Sequence, residues 1–477
     1  MQNGDDPLSI YSGMWGNVGD IQTGYSKSLF ENYIVYIESN ATIAPRRNLK
    51  AKHNLQFGLT YEQRIQRNYS LAAGSLWNLM PLLANRQFSG LDSIGYAKFD
   101  ANGVFQDTIT FDRRIVAADQ TEFDKNLRDK LISSGATDNN GNPITSQTYL
   151  DVNSYSPGTY NLNMFSANDL LNNGNSYVGY FGYDHLGNEV SGKPGINEFF
   201  KNRILGAYQP IYAAAWIQDK FQFKDLILRV GLRVERFDAN QIVLRDPYSM
   251  VPILSAGEIR TATAGSLKIE KDEIPSIVQD DWKVYINTDN FSSNTYGVAG
   301  FRNGNNWYDK NGNPVSDPAA IQRAAGTSQN IPYVTDPKNP KVPTAASFKD
   351  YVPDVKISPR VWFSFPINTS SQFYGTYDIL NQRPGGNVAQ IDDYFYLSNR
   401  LTGVIANPDL KMTQVTAYEI GFRQQIGKNS AIGLIATYRE NRNMTQLYSF
   451  IQAWPNTYTT VGNIDFSTVK SVGLEYK

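Results

Sequence analysis

Between Ile211 and Asp246 the chain reads IYAAAWIQDKFQFKDLILRVGLRVERFDANQIVLRD, and the second half of this stretch alternates with a period of two. Leu226, Leu228, Val230, Leu232 and Val234 fall on one side. Arg229, Gly231, Arg233 and Glu235 fall on the other, with Ile227 the single apolar intruder. Such alternation gives a strand one greasy and one wet face, whereas a helix would spread the five apolar residues around its circumference. The segment before it, roughly 212–223, reads back through a tight turn at Lys224-Asp225, so the two form an antiparallel hairpin. Two architectures accommodate it. In a water-soluble sandwich the apolar face is core and the charged face meets solvent. In an outer-membrane barrel the apolar face meets lipid and the charged face lines the lumen.

A chain of 477 residues exceeds one ordinary globular core, so it holds several domains or one large closed architecture. The formal net charge of −1 argues against nucleic acid as a partner, since phosphate binding needs a basic surface. With 30 Tyr and 24 Phe, the composition suits strands and the aromatic girdles of a membrane barrel. No apolar run reaches the roughly 18 residues of a transmembrane helix, which leaves a barrel open because barrel strands alternate. The absence of cysteine removes disulfides, thiolate zinc sites and cysteine nucleophiles. MQNGDDPLSIYSGMWGN has neither a basic n-region nor an apolar h-region, so no signal peptide is expected in this chain.

Strong strands recur at about 31–66, 208–242, 355–380, 413–446 and 468–477. In the latter part of the first, Leu55, Phe57, Leu59 and Tyr61 oppose Lys52, Asn54, Gln56, Gly58, Thr60, Glu62 and Arg64. Later, Tyr418, Ile420 and Phe422 oppose Glu419, Gly421 and Arg423, and Ile432, Leu434, Ala436 and Tyr438 oppose Gly433, Thr437 and Arg439. Between them lie long stretches at about 87–202, 247–352 and 381–412, too large for hairpin turns. Short turns alternating with long loops is the rhythm of an outer-membrane barrel. LAAGSLWNLMPLL (Leu71–Leu83) is expected to be a short helix or plug-like loop interrupted by Pro81. Asp-x-x-Gly-Asn occurs at Asp138, Asp184 and Asp309. Its oxygens could suggest calcium, but it lacks the distal Glu of an EF-hand, and the plainer reading is a hairpin turn with Gly at positive φ.

Several of these segments carry a family resemblance. NPDLKMTQVTAYEIGFRQQIGKNSAIGLIATYRENRNMTQ (Asn407–Gln446) resembles the late barrel region of TonB-dependent outer-membrane receptors. YAAAWIQDKFQFKDLILRVGLRVERFDAN (Tyr212–Asn240) resembles their mid-barrel hairpin, and KISPRVWFSFPI (Lys356–Ile367) is similar to their "SPR" strand. FDANQIVLRDPYS and GYDHLGNEVSGKPGINEFF point to the Bacteroidetes type, with a carboxypeptidase-regulatory-like N-terminal domain. The resemblance implies an all-β, antiparallel transmembrane barrel with long extracellular loops. About ten or eleven of an expected twenty-two strands are legible, and neither plug nor TonB-contacting segment is, so a barrel fragment is expected. It further implies a Gram-negative outer-membrane location and uptake of a bulky nutrient such as a glycan, peptide or metal chelate. The partners are membrane lipid, the TonB complex through the plug, and a surface lipoprotein beside the nutrient.

The residues themselves offer little enzyme chemistry. His53, on the apolar phase near a strand start, and His185, in a turn, are the only histidines, and neither sits in a triad or zinc motif. Asp280-Asp281 and Asp392-Asp393 read as solvated loop acids rather than a glycosidase pair. No nucleotide-binding fingerprint follows a strand. No catalytic residue, metal site or cofactor is therefore expected. The candidate lumen residues are Lys52, Glu62, Arg64, Arg229, Arg233, Glu235, Glu419, Arg423 and Arg439, which either form a salt-bridged wall that docks the plug or touch substrate. Trp307, Tyr308, Tyr394, Tyr396 and Trp454 are candidate outer-loop contacts that could stack on substrate or pack the loops together. A soluble secreted β-rich binding or adhesin module is the alternative from another class, and a carbohydrate-active enzyme a third.

Overall fold

The computed structural model describes residues 24–43, 51–263, 265–385, 391–397, 403–465 and 467–476. The chain divides into two units, residues 1–29 with 67–207 and residues 30–66 with 208–477.

The second unit is built on one long sheet. Its strands are β1 (Tyr25–Ile43), β2 (Ala51–Leu71), β3 (Ile211–Phe223), β4 (Leu226–Asp238), β5 (Asp354–Asn368), β6 (Ser371–Gln382), β7 (Thr413–Ile426), β8 (Ser430–Arg442) and β9 (Ser467–Tyr476). They lie side by side in chain order, and from β2 to β9 every neighbouring pair is antiparallel. The predicted turn at Lys224-Asp225 joins β3 to β4, with Lys224 at φ 51°. Among the described residues no pairing closes the sheet, and β1 and β9 are its edges. Among the described residues this sheet holds nine long strands and one short one.

Directly paired residues share a face, so the phase read in one strand carries across the sheet. The result is inside-out for a water-soluble protein. Phe57, Ile217, Val230, Leu232, Ile357, Ile420 and Leu434, one phase of six strands, are each 44–59% exposed. On the opposite face Glu235 is 6% exposed and Ser358 1%.

The loops of this unit form their own packed layer. Residues 283–332 make a five-stranded sheet in the order Pro314–Val315, Asn306–Asp309, Val298–Asn303, Lys283–Ile286, Ile331–Pro332. Val284, Ile286, Phe301, Ile331 and Trp454 are buried together beneath it.

The first unit adds short helices to a chain that is mostly antiparallel β. It contains α1 (Leu76–Leu83) and α2 (Glu122–Ser133), with shorter helices at Ala167–Leu171 and Ile196–Asn202. Pro81 lies inside α1 rather than ending it. In α2 the Thr121 side chain accepts from the Asp124 N–H, Glu122 and Asp124 occupy the first turn, and Phe123, Leu127 and Leu131 are buried at spacings of four. A hairpin, Phe88–Phe99 with Phe105–Ile115, forms a separate two-stranded sheet. The strand Val178–Phe181 pairs with residues 68–71, which belong to this same unit.

Candidate functional site

The polar face of the large sheet gathers the charged residues near the loop end of β2, β3 and β4. Glu235 is the centre. Its Oε1 accepts from the Tyr212 hydroxyl at 2.6 Å and from Arg233 Nε at 3.1 Å. Its Oε2 accepts from Asn381 Nδ2 at 2.8 Å and from the Ser358 hydroxyl at 3.3 Å. Arg233 also donates to the Tyr212 oxygen at 3.0 Å and lies 5.0 Å from the centre of the Trp216 ring. A second node is Glu62, which accepts from Arg64 at 2.6 Å and from Arg383 at 2.7 Å. Arg383 lies 4.5 Å from the Tyr212 ring centre, joining the two nodes.

This network follows from the pairing. Tyr212 stands opposite Glu62 on β2, Trp216 opposite Arg233, and Arg233 opposite Ser358, so side chains from β2 to β5 converge on one face. A buried carboxylate is tolerable when its lone pairs are filled, and Glu235 meets four donors. Beside the network is a cleft of about 700 Å³, lined among others by Tyr36, Trp216, Arg233, Arg360 and Arg383. Its aromatic and guanidinium walls suit polar contacts and stacking.

Of the predicted lumen residues, Glu62, Arg64, Arg233 and Glu235 are brought together here. Lys52 and Arg229 share the face but lie toward the turn end, opposite Gln222 and Lys220. Glu419, Arg423 and Arg439 stand on the same phase further along the sheet, opposite Thr376, Gln372 and Ala417. Among the described residues they make no ion pair. Tyr212, Ser358, Asn381 and Arg383 were missed. Tyr212 and Ser358 occupy the polar phase of their strands and could have been included. Arg383 lies in what reads as a loop, and its contact with Glu62 is purely tertiary.

The outer-loop aromatics are occupied by protein. Trp307, Tyr394, Tyr396 and Trp454 are buried, and Tyr308 stacks on Trp282 with ring centres 3.9 Å apart. Trp454 donates to the Pro340 carbonyl at 2.6 Å and Tyr394 to the Ala406 carbonyl at 3.2 Å. Trp307 packs near Arg302, a buried arginine that pairs with Asp246 and donates to the Tyr285 hydroxyl at 2.9 Å. Burial pushes the Tyr285 phenol up to about 12.

The three Asp-x-x-Gly-Asn segments are the same turn. In each, Oδ1 of the Asp accepts from backbone N–H groups two and four residues on, and the Asn side chain donates to Oδ2. Gly141, Gly187 and Gly312 have φ of 81–84°. The N–H groups of Asn142 and Asn140 hold the Asp138 carboxyl below its usual range. Asp100 makes the same backbone turn with Val104 in the last place, a fourth copy hidden by that replacement. Among the described residues no cluster of three metal-binding side chains occurs.

The fold and site together describe an open antiparallel wall, greasy on its exposed face and charged on the other. No family model matches the chain, and no curated protein matches it. Among solved structures it is similar to the outer membrane transporter YddB from Escherichia coli, with TM-score 0.34 and 10% identity over 94% of this chain and 31% of that one. It is similar also to the alcaligin outer membrane receptor FauA from Bordetella pertussis, with TM-score 0.32 and 8% identity over 95% of this chain and 37% of that one. The ferric citrate transporter FecA gives TM-score 0.28 and 7% identity over 96% and 33%. The chain therefore spans about a third of the length of these transporters. What makes the sheet a candidate membrane wall is its own register and exposure.

Proposed function

We propose that this chain forms part of the wall of a TonB-dependent receptor of the Bacteroidetes type, which imports a bulky nutrient across the Gram-negative outer membrane. The observation that carries the reading is the inside-out sheet: its apolar phase is exposed strand after strand, while the Glu235 carboxylate is buried on the other face. Water would not leave such a face uncovered, and lipid covers it. The polar network around Glu235 and Glu62 then belongs to a wet lumen wall, where a plug docks and couples the receptor to the TonB complex. A surface lipoprotein would share the nutrient on the loop side. The reading calls for no cofactor, and it gives the three aspartate turns a structural role rather than calcium binding. It assigns no catalytic step to the chain.

The test is a charge on the greasy face. Val230→Arg or Leu232→Arg in the full-length protein should cost about 2–4 kcal/mol of folding in the membrane and deplete the protein from the outer-membrane fraction. Normal assembly of both variants would remove the lipid-facing assignment and leave the soluble secreted β-rich binding or adhesin module.

A further inference from the structure

The register of the sheet carries more than the identity of its two faces. One line of directly paired residues runs across seven strands: Asp219, Val230, Val361, Tyr377, Tyr418, Tyr438 and Lys470. All stand on the apolar phase, as does Leu55, which continues the line on β2, and two of the seven, Asp219 and Lys470, are charged. Its distance from the short turns changes steadily. Val230 is four residues from Leu226 at the start of β4, Tyr377 six from Ser371 at the start of β6, and Tyr438 eight from Ser430 at the start of β8. The turns therefore step by about one residue per strand. With about 3.3 Å of rise along a strand and 4.8 Å between strands, this is a tilt of about 35°, within the range of closed membrane barrels.

A tilt of this size predicts where the apolar phase should break. If the loop-side limit is Lys470 on β9, it should fall about one residue further loopward on each strand toward β2. The chain breaks there. The first polar residues of the phase are Glu440 on β8, Arg236 on β4 and Gln63 on β2. On the turn side the breaks are His53 on β2 and Gln424 on β7. From His53 to Gln63 is ten residues, about 27 Å of height at this tilt, close to the roughly 25 Å apolar band of outer-membrane barrels.

We propose that the hydrocarbon band crosses this sheet obliquely to its hydrogen-bond register, from the His53–Gln424 row on the turn side to the Gln63–Arg236–Glu440–Lys470 row on the loop side. This rests on the membrane reading above and gives it a definite position. Two local features fit these edges. Tyr377, Tyr418 and Tyr438 lie tilted against one another in sequence, with ring centres 4.9 and 5.8 Å apart, and Lys470 lies 5.6 Å from the Tyr438 ring, an aromatic and cationic contact at the loop-side edge of β8 and β9. On the turn side His53 Nδ1 is 2.7 Å from Asp219 Oδ2; Asp219, opposite Leu55 and Val230, is a charged residue inside the band, and its carboxylate is directed to His53 at the turn-side edge.

Three arginine variants of the full-length protein decide the placement. Folding is read as the gel-shifted fraction in dilauroylphosphatidylcholine vesicles across a urea series. Val230→Arg and Leu434→Arg, both in the middle of the oblique band, should lower the folding equilibrium constant about 30-fold or more, and Tyr438→Arg, at its edge, less than about fivefold. A band parallel to the register reverses the order on β8. It makes Tyr438→Arg as costly as Val230→Arg and spares Leu434→Arg, which would overturn the placement while keeping the membrane wall. If none of the three loses folding, the membrane reading falls and the placement with it.

Discussion

At the scale of single residues, the buried carboxylate of Glu235 is held by a full set of donors. Glu235 meets four donors, and removing it leaves Arg233 and Tyr212 facing a gap. Glu235→Ala should destabilise the detergent-refolded protein by about 1–3 kcal/mol, and Glu235→Gln by less, because the amide keeps an acceptor. Paired urea titrations check this order. In the first unit Asp124 is the counterpart. Burial pushes its carboxyl up, but Arg128, the Asn85 N–H and Gln120 outweigh that, and its pKa lies below the ordinary carboxylate value. A carboxyl whose folded pKa is depressed adds stability that is complete above the unfolded pKa and fades as pH falls through the folded one. Asp124→Asn should therefore lower the urea midpoint at pH 6, and the gap to wild type should close as pH falls below about 4. A gap independent of pH would mean that the carboxylate's charge contributes nothing.

At the scale of elements, the legible parts were those with a strict local period. The hairpin of β3 and β4, its turn, and the later pair β7 and β8 were readable because each strand has one apolar face and the turns are short and polar. The aspartate turns were readable for a similar reason: a short carboxylate bonds the backbone two residues on, and a glycine at positive φ turns the chain so that the N–H four residues on reaches the same oxygen. The substitution Gly141→Ala should cost about 1 kcal/mol from backbone strain alone, since nothing lies within 4 Å of the added Cβ. Gly312→Ala should cost more, because its Cβ would stand 2.6 Å from an Ile277 methyl. Equal thermal shifts for the two would show that Ile277 simply moves aside. Helix α2 was overlooked although its signal is present: Thr121 as cap, then Phe123, Leu127 and Leu131. A search tuned to period two passes over spacings of four.

At the scale of the whole molecule, the exposed apolar phase sets the behaviour in solution. The full-length protein should be monodisperse in detergent above its micelle concentration and aggregate when the detergent is removed, as light scattering would show. A monodisperse protein in plain buffer would mean that something other than lipid covers that face.

The sequence by itself determined which residues share a face, because side chains in a strand point alternately up and down whatever the strand pairs with. That was enough to put Glu62, Arg64, Arg233 and Glu235 on one surface and Val230 and Leu232 on the other. Only the tertiary structure decided which of these charges meet. Arg383 reaches Glu62 from 321 positions away, and Tyr308 is covered by Trp282 through the packing of the loop layer. It also decided how the strands are staggered. Alternation fixes a face but not a height, and height comes from the pairing register, which no single strand contains.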